Sequence, residues 1–184
     1  MYLGRVTLAA LALGLSQAAA AGDLDLNLSN EAARFSYLFP LTDTGLNADL
    51  GLLHHTDGGD LLHAGVLLVD EAGQGTEAFT VGLGGRLLRV EGGGASGTAL
   101  AIGGSFRYVF PDYNRLAISG AAFIAPEVTS FADLEGFHEV GIRGEYRVLE
   151  RGFVYLGLRS VSADFGAGTA GIDDGLHVGV SLSF

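Results

Sequence analysis

Residues 139–148, EVGIRGEYRV, alternate strictly: Val140, Ile142, Gly144, Tyr146 and Val148 are interleaved with Glu139, Gly141, Arg143, Glu145 and Arg147. A period of two puts the two sets on opposite faces of a β-strand. The same period recurs in about ten segments, 23–29, 33–39, 46–55, 61–69, 79–90, 98–110, 115–125, 138–148, 153–163 and 175–184. No stretch carries a comparable helical stripe, and no repeat is longer than a hairpin. The pattern predicts an all-β fold, a transmembrane antiparallel up-and-down β-barrel of about ten strands. Eight strands stay open, because the first, second and fourth segments are short of the about 9–11 residues that cross a bilayer at a tilt.

Which face meets water separates two kinds of protein. A soluble sandwich buries the aliphatics and hydrates the charges, whereas a membrane barrel shows the aliphatics to lipid and encloses the charges. The polar parity holds Asp25, Asn27, Arg34, Asn47, Asp49, His63, Thr80, Arg86, Ser105, Arg107, Ser119, Glu139, Arg143, Glu145, Arg147, His177, Ser181 and Ser183. Glycine, alanine and serine interrupt these residues, which suits a narrow lumen better than a hydrated surface. An arginine on the lipid face near the midplane costs about 2–4 kcal/mol, so the arginines fix the parity. Asp49, Arg86, Arg107, Glu139, Arg143, Glu145, Arg147 and Arg159 are therefore the candidate lumen-lining set. For Arg159 this choice turns Phe153 and Tyr155 inward and leaves Val154, Leu156 and Leu158 toward lipid.

The connections give a direction. With the N-terminus in the periplasm, PLTDTG (40–45), PDYN (111–114) and LERG (149–152) are periplasmic turns, and EGGGASG (91–97), APEVTSFADLEG (125–136) and residues 164–174 are the longer outer loops. Residues 70–77 make a rather long inner turn in this scheme, and 29–32 a short outer one. Phe39, Phe79, Tyr108, Phe110, Tyr146 and Phe184 fall at periplasmic strand ends with aliphatic parity, as an interfacial aromatic girdle requires. The last segment, GLHVGVSLSF, resembles the closing strand of outer-membrane barrels, whose terminal aromatic, here Phe184, implies recognition by the barrel-assembly machinery.

Composition adds the compartment. Arg5, the apolar run 6–15 and the small residues Ala18 to Ala21 form an export signal over residues 1–21, leaving a single barrel domain at 22–184. There is no cysteine, so the exported chain is held together without disulfides. All 10 basic residues are arginine against 21 acids, a net charge of −11 that argues against nucleic acid and against a basic lipid-binding surface. The expected location is the outer membrane, reached through the periplasm, with outer-membrane lipids, the assembly machinery and small solutes or ions as partners and a monomer favoured.

The chain resembles the YfaZ family of outer-membrane proteins. The likeness is carried by DLDLNLSN, DLLHAGVLLVDEAG, GLGGRLLRV, ALAIGGSFRYVFPDYNRLAISG followed by APEVTSF, EVGIRGEYRV, VYLGLR and GLHVGVSLSF, which span most of residues 22–184. Family members are described as porin candidates or barrels of unassigned role, so the resemblance implies location and fold and carries over no functional residue.

Candidate chemistry is thin. His54, His55, Asp57 and Asp60 cluster at one outer loop, with His138 and Glu139 at the same rim. A base and its orienting acid could come from them, which makes a lipid A or phospholipid hydrolase the alternative function, although TDGGD reads first as turn chemistry. Asp57, Asp60, Asp133, Glu135, Asp173 and Asp174 lack the ordered spacing of a calcium loop, and the glycines at 82–85 and 91–97 do not form a phosphate cradle. No catalytic residue, metal or cofactor is expected. The lumen charges could line an ion path, giving a porin-like narrow channel, or pair and fill it, giving a structural barrel. A soluble periplasmic sandwich or lipocalin-like carrier is the remaining alternative.

Overall fold

An antiparallel sheet whose outer face is aliphatic has two raw edges, and only pairing its first strand with its last removes both. The chain does this. The computed structural model describes residues 21–72 and 79–184. Its strands are β1 Asp23–Leu28, β2 Ala32–Pro40, β3 Leu46–His55, β4 Gly59–Ala72, β5 Phe79–Gly92, β6 Ala95–Val109, β7 Leu116–Ala125, β8 Ser130–Ala132, β9 Leu134–Leu149, β10 Gly152–Phe165 and β11 Gly168–Ser183. Neighbours in sequence pair antiparallel, β7 skips to β9, and β11 returns to β1, with Leu24 opposite Leu182 and Leu26 opposite Val180. Ten strands close the barrel, which settles the choice between eight and ten. The eleventh, β8, adds a short ladder to β6 at Gly97–Ala99. The export signal expected at residues 1–21 lies almost wholly outside the described residues, as does most of the 70–77 turn.

Parity is as the charges required. Val140, Ile142, Leu156 and Leu158 are 47–56% exposed, whereas Glu139, Glu145, Tyr155 and Arg159 are at most 7% exposed. Arg159 does turn Phe153 and Tyr155 inward: the Arg107 guanidinium covers the Phe153 ring at 4.7 Å, and that of Arg143 covers Tyr155 at 4.2 Å.

The lengths and loops need correction. The fourth strand is 14 residues and not nine: it begins two residues earlier, at Gly59 with φ 118°, and ends three later, at Ala72. EGGGASG is no long loop either. Gly93 and Gly94, at φ 60° and 82°, form a two-residue turn of the primed type that matches strand twist, and pairing continues to Gly92 opposite Ala95. Residues 164–174 are mostly strand, with Phe165 opposite Gly168. Only 126–133, with a 3-10 turn at Glu127–Thr129 and β8, is a loop of appreciable length at this end. We call this end upper and the end where Asp23 meets Ser183 lower.

The upper end of the barrel is stoppered with hydrocarbon. Leu53, Leu61, Leu88, Val90, Phe123, Leu134, Phe137, Val161, Phe165 and Ile172 form one buried cluster. A register shift between Val161 and Ser162 sends both Ile172 and Asp173 of the facing strand inward. That bulge folds the β10–β11 hairpin across the mouth: Ile172 lies so close to Gly92 that a Cβ there would sit 2.7 Å from its Cδ1. Bulges commonly make such bends.

Candidate functional site

Below the stopper the interior is ionic. β2, β5 and β9 bring Arg34, Arg86 and Glu139 together because each occupies an inward position of its strand. Arg34 Nη1 donates to Glu139 Oε1 at 2.6 Å, Arg86 Nη1 to Glu139 Oε2 at 3.2 Å, and Arg86 Nε to Asp49 Oδ2 at 2.5 Å. His63 Nε2 lies 3.4 Å from Asp49 Oδ1. The Arg86 guanidinium also covers the Phe123 ring at 3.5 Å, so the ionic layer abuts the apolar one. The imidazole of His63 fills the space that a side chain on Gly51 would take.

A second group lies lower. Glu145 accepts from Arg107 Nε (2.8 Å), Arg143 Nε (2.9 Å) and Ser119 Oγ (2.6 Å). Arg143 Nη1 and the Tyr155 hydroxyl both donate to Asp25, each at 2.6 Å. Arg159 lies between Asp173 and Asn27, donating to both carboxylate and amide, to Asn27 Oδ1 at 2.8 Å. Arg107 and Arg143 are 30–31% exposed at the side chain, so water enters from the lower end and stops at the pairs above, whose side chains are at most 10% exposed.

Five interior arginines, Arg34, Arg86, Arg107, Arg143 and Arg159, thus face five interior carboxylates, Asp25, Asp49, Glu139, Glu145 and Asp173. Of the eight lumen candidates, seven belong to this network. Arg147 does not: its Nη2 reaches the Asn114 carbonyl at 2.8 Å in a turn at the lower rim. Asp25, Asn27, Arg34, His63 and Ser119 belong to it and share the polar parity. Asp173 has a loop's composition around it, yet it continues the inward parity of Gly175 and His177. Among the described residues, the Nδ1 of His177 is the buried side-chain polar atom without a hydrogen-bond partner.

The six aromatic candidates lie at the lower end of the barrel. Phe79, Phe110, Tyr146 and Phe184 are 38–57% exposed on the outer face of the lower end, and Phe39 and Tyr108 are half-buried there. Tyr37 stacks on Phe39 at 5.2 Å, and Tyr108 meets Phe110 edge-on at 5.3 Å. The upper rim has Phe131, 56% exposed on β8.

The histidines are not brought together. β3 and β9 are five strands apart in a ten-strand ring, so His54 and His138 stand on opposite walls. His54 Nδ1 contacts Asp60 Oδ1 at 2.6 Å, an exposed pair to which no hydroxyl bonds among the described residues. His55 instead closes its turn, its Nδ1 accepting from the N–H groups of Asp57 and Gly58. No group of three or more His, Asp or Glu side chains among the described residues is placed to hold a metal ion.

A family model described as YfaZ precursor matches residues 3–184. No curated protein matches the chain.

Proposed function

The chain belongs to the YfaZ family, and from that membership and its inside-out sheet we propose that residues 22–184 form an integral outer-membrane barrel whose interior is closed, a structural barrel and not a porin. The observation that carries the membrane half is the inversion: Leu83, Ile102, Leu158 and Leu176 are 55–67% exposed while Arg34, Arg86 and Arg159 are enclosed. In water so large an apolar surface would aggregate, and in lipid it is the expected face. The lower end, with its rings, faces the periplasm in this reading, and Phe184 is the residue we assign to the barrel-assembly machinery. Flotation of refolded protein with phospholipid vesicles through carbonate tests it; protein left in the soluble fraction would favour the periplasmic carrier.

Closure rests on charge balance and on the apolar stopper. A selective pore presents a ring of one sign to water; here each interior arginine has a carboxylate, and the upper end holds hydrocarbon. We expect no conductance steps from pure protein in planar bilayers. Regular steps would restore the channel reading, with Arg107 and Arg143 at the wet end as its filter. This function includes no catalytic step or cofactor.

A further inference from the structure

The aliphatic cover of the outer wall is missing around Gly144. Gly144 faces outward between Ile118 of β7 and Leu156 of β10, and a Cβ built on it would meet nothing within 4 Å. Around this gap an apolar groove of about 820 Å³ crosses from β7 to β1, walled by Leu116, Ile118, Leu156, Val178 and Leu26. Phe110 and Tyr146 border it toward the lower rim.

The chain's free cations stand at that rim. Among its ten arginines, five are interior, Arg89 bridges Glu91 at 2.8 Å, and Arg5 lies outside the described residues. Arg115, Arg147 and Arg151 remain, Arg115 and Arg151 in the turns that follow β6 and β9 and Arg147 near the lower end of β9. The Arg147 N–H donates to the Arg115 carbonyl at 2.8 Å, which keeps those two residues side by side. Asp112 and Glu150 share these turns, yet neither is in ion-pair contact with the three arginines among the described residues. In a chain of net charge −11 this is a local concentration of unpaired positive charge.

We propose that the groove binds a glycerophospholipid of the periplasmic leaflet, one acyl chain lying over Gly144 and the phosphate held by Arg115 and Arg147. The site rests on the membrane reading above. A chain of methylenes fills a gap where protein supplies no side chain, the rings sit at the depth of the ester groups, and guanidinium forks match phosphate oxygens. Charge disfavours a second copy as occupant. Two barrels inserted in the same sense would bring their arginine turns together at one depth, which is repulsive.

The test is native mass spectrometry of detergent-folded protein titrated with dimyristoyl phosphatidylglycerol, beside dimyristoylglycerol, which lacks the phosphate. One tightly retained phospholipid is expected. Gly144→Leu, whose Cβ meets no atom within 4 Å and whose side chain occupies the groove, weakens retention at least about tenfold, whereas the outward-facing Gly85→Leu on β5 leaves it unchanged. Arg115→Ser with Arg147→Ser removes the preference for phosphatidylglycerol over the phosphate-free lipid. Equal retention by wild type and Gly144→Leu, or a dimer that Gly144→Leu dissociates, overturns the site. Vesicle flotation of the same proteins separates the two readings. If wild type fails to float, the membrane assignment falls, and if all variants float while retention is unchanged by Gly144→Leu, only the lipid site falls.

Discussion

Replacing Glu139 with glutamine keeps the volume and an acceptor oxygen while deleting the one anion shared by Arg34 and Arg86. Each contact, at 2.6 and 3.2 Å between heavy atoms, brings unit charges to about 4 Å, worth about 4 kcal/mol at an effective dielectric of about 20. Desolvation of three buried ions offsets most of that gain, so the intact cluster is worth little relative to a hydrocarbon core. The single variant is another matter. Arg86 still has Asp49, but Arg34, 9% exposed at the side chain, loses its one ion-pair contact among the described residues. Breaking one side of a buried pair costs about 3–5 kcal/mol. Urea unfolding in phospholipid vesicles, followed by far-ultraviolet circular dichroism because the chain has no tryptophan, measures it. Adding Arg34→Met to Glu139→Gln returns about 2 kcal/mol or more, since no unpaired cation then remains at that position. A loss below about 1 kcal/mol in the single variant, typical of hydrated surface pairs, refutes a dry, closed interior.

Three further outcomes follow from the faces and turns. Ile142→Arg destabilises the vesicle-inserted protein by about 2–4 kcal/mol, and spin labels report lipid contact at Ile142 and a polar surrounding at Gly141; the reverse accessibility would invert the sheet. Gly179→Val drives a side chain into the Tyr155 ring and costs about 1–3 kcal/mol, and Tyr155→Phe does not relieve it, because the overlap is with the ring as well as the hydroxyl. Gly93→Asn is near neutral in urea midpoint, whereas Gly94→Val, a β-branched residue forced to φ 82°, costs more than about 1 kcal/mol.

The sequence by itself determined the strands and their faces. Alternation such as Val140, Ile142 and Tyr146 against Glu139, Arg143 and Glu145 is a local property, and the cost of an arginine in lipid orients it without any knowledge of neighbours. Even the awkward ninth segment, around Arg159, was oriented correctly on that ground. Loop lengths were less legible: EGGGASG and residues 164–174 have loop composition, yet positive-φ glycines make tight turns there and the ladders run on through them. Asp173 was hidden by the same error, and Arg147 has inward parity but lies past the last layer of the interior. Only tertiary structure decided what the charges do. Arg34 meets Glu139 across 105 residues of chain, and Arg143 meets Asp25 across 118, contacts fixed by strand number and stagger once the barrel closes. Closure likewise set His54 and His138 on opposite walls and laid Ile172 over the mouth. A period of two states which way a side chain points; what it meets there depends on the curvature of the whole sheet, which no single strand encodes.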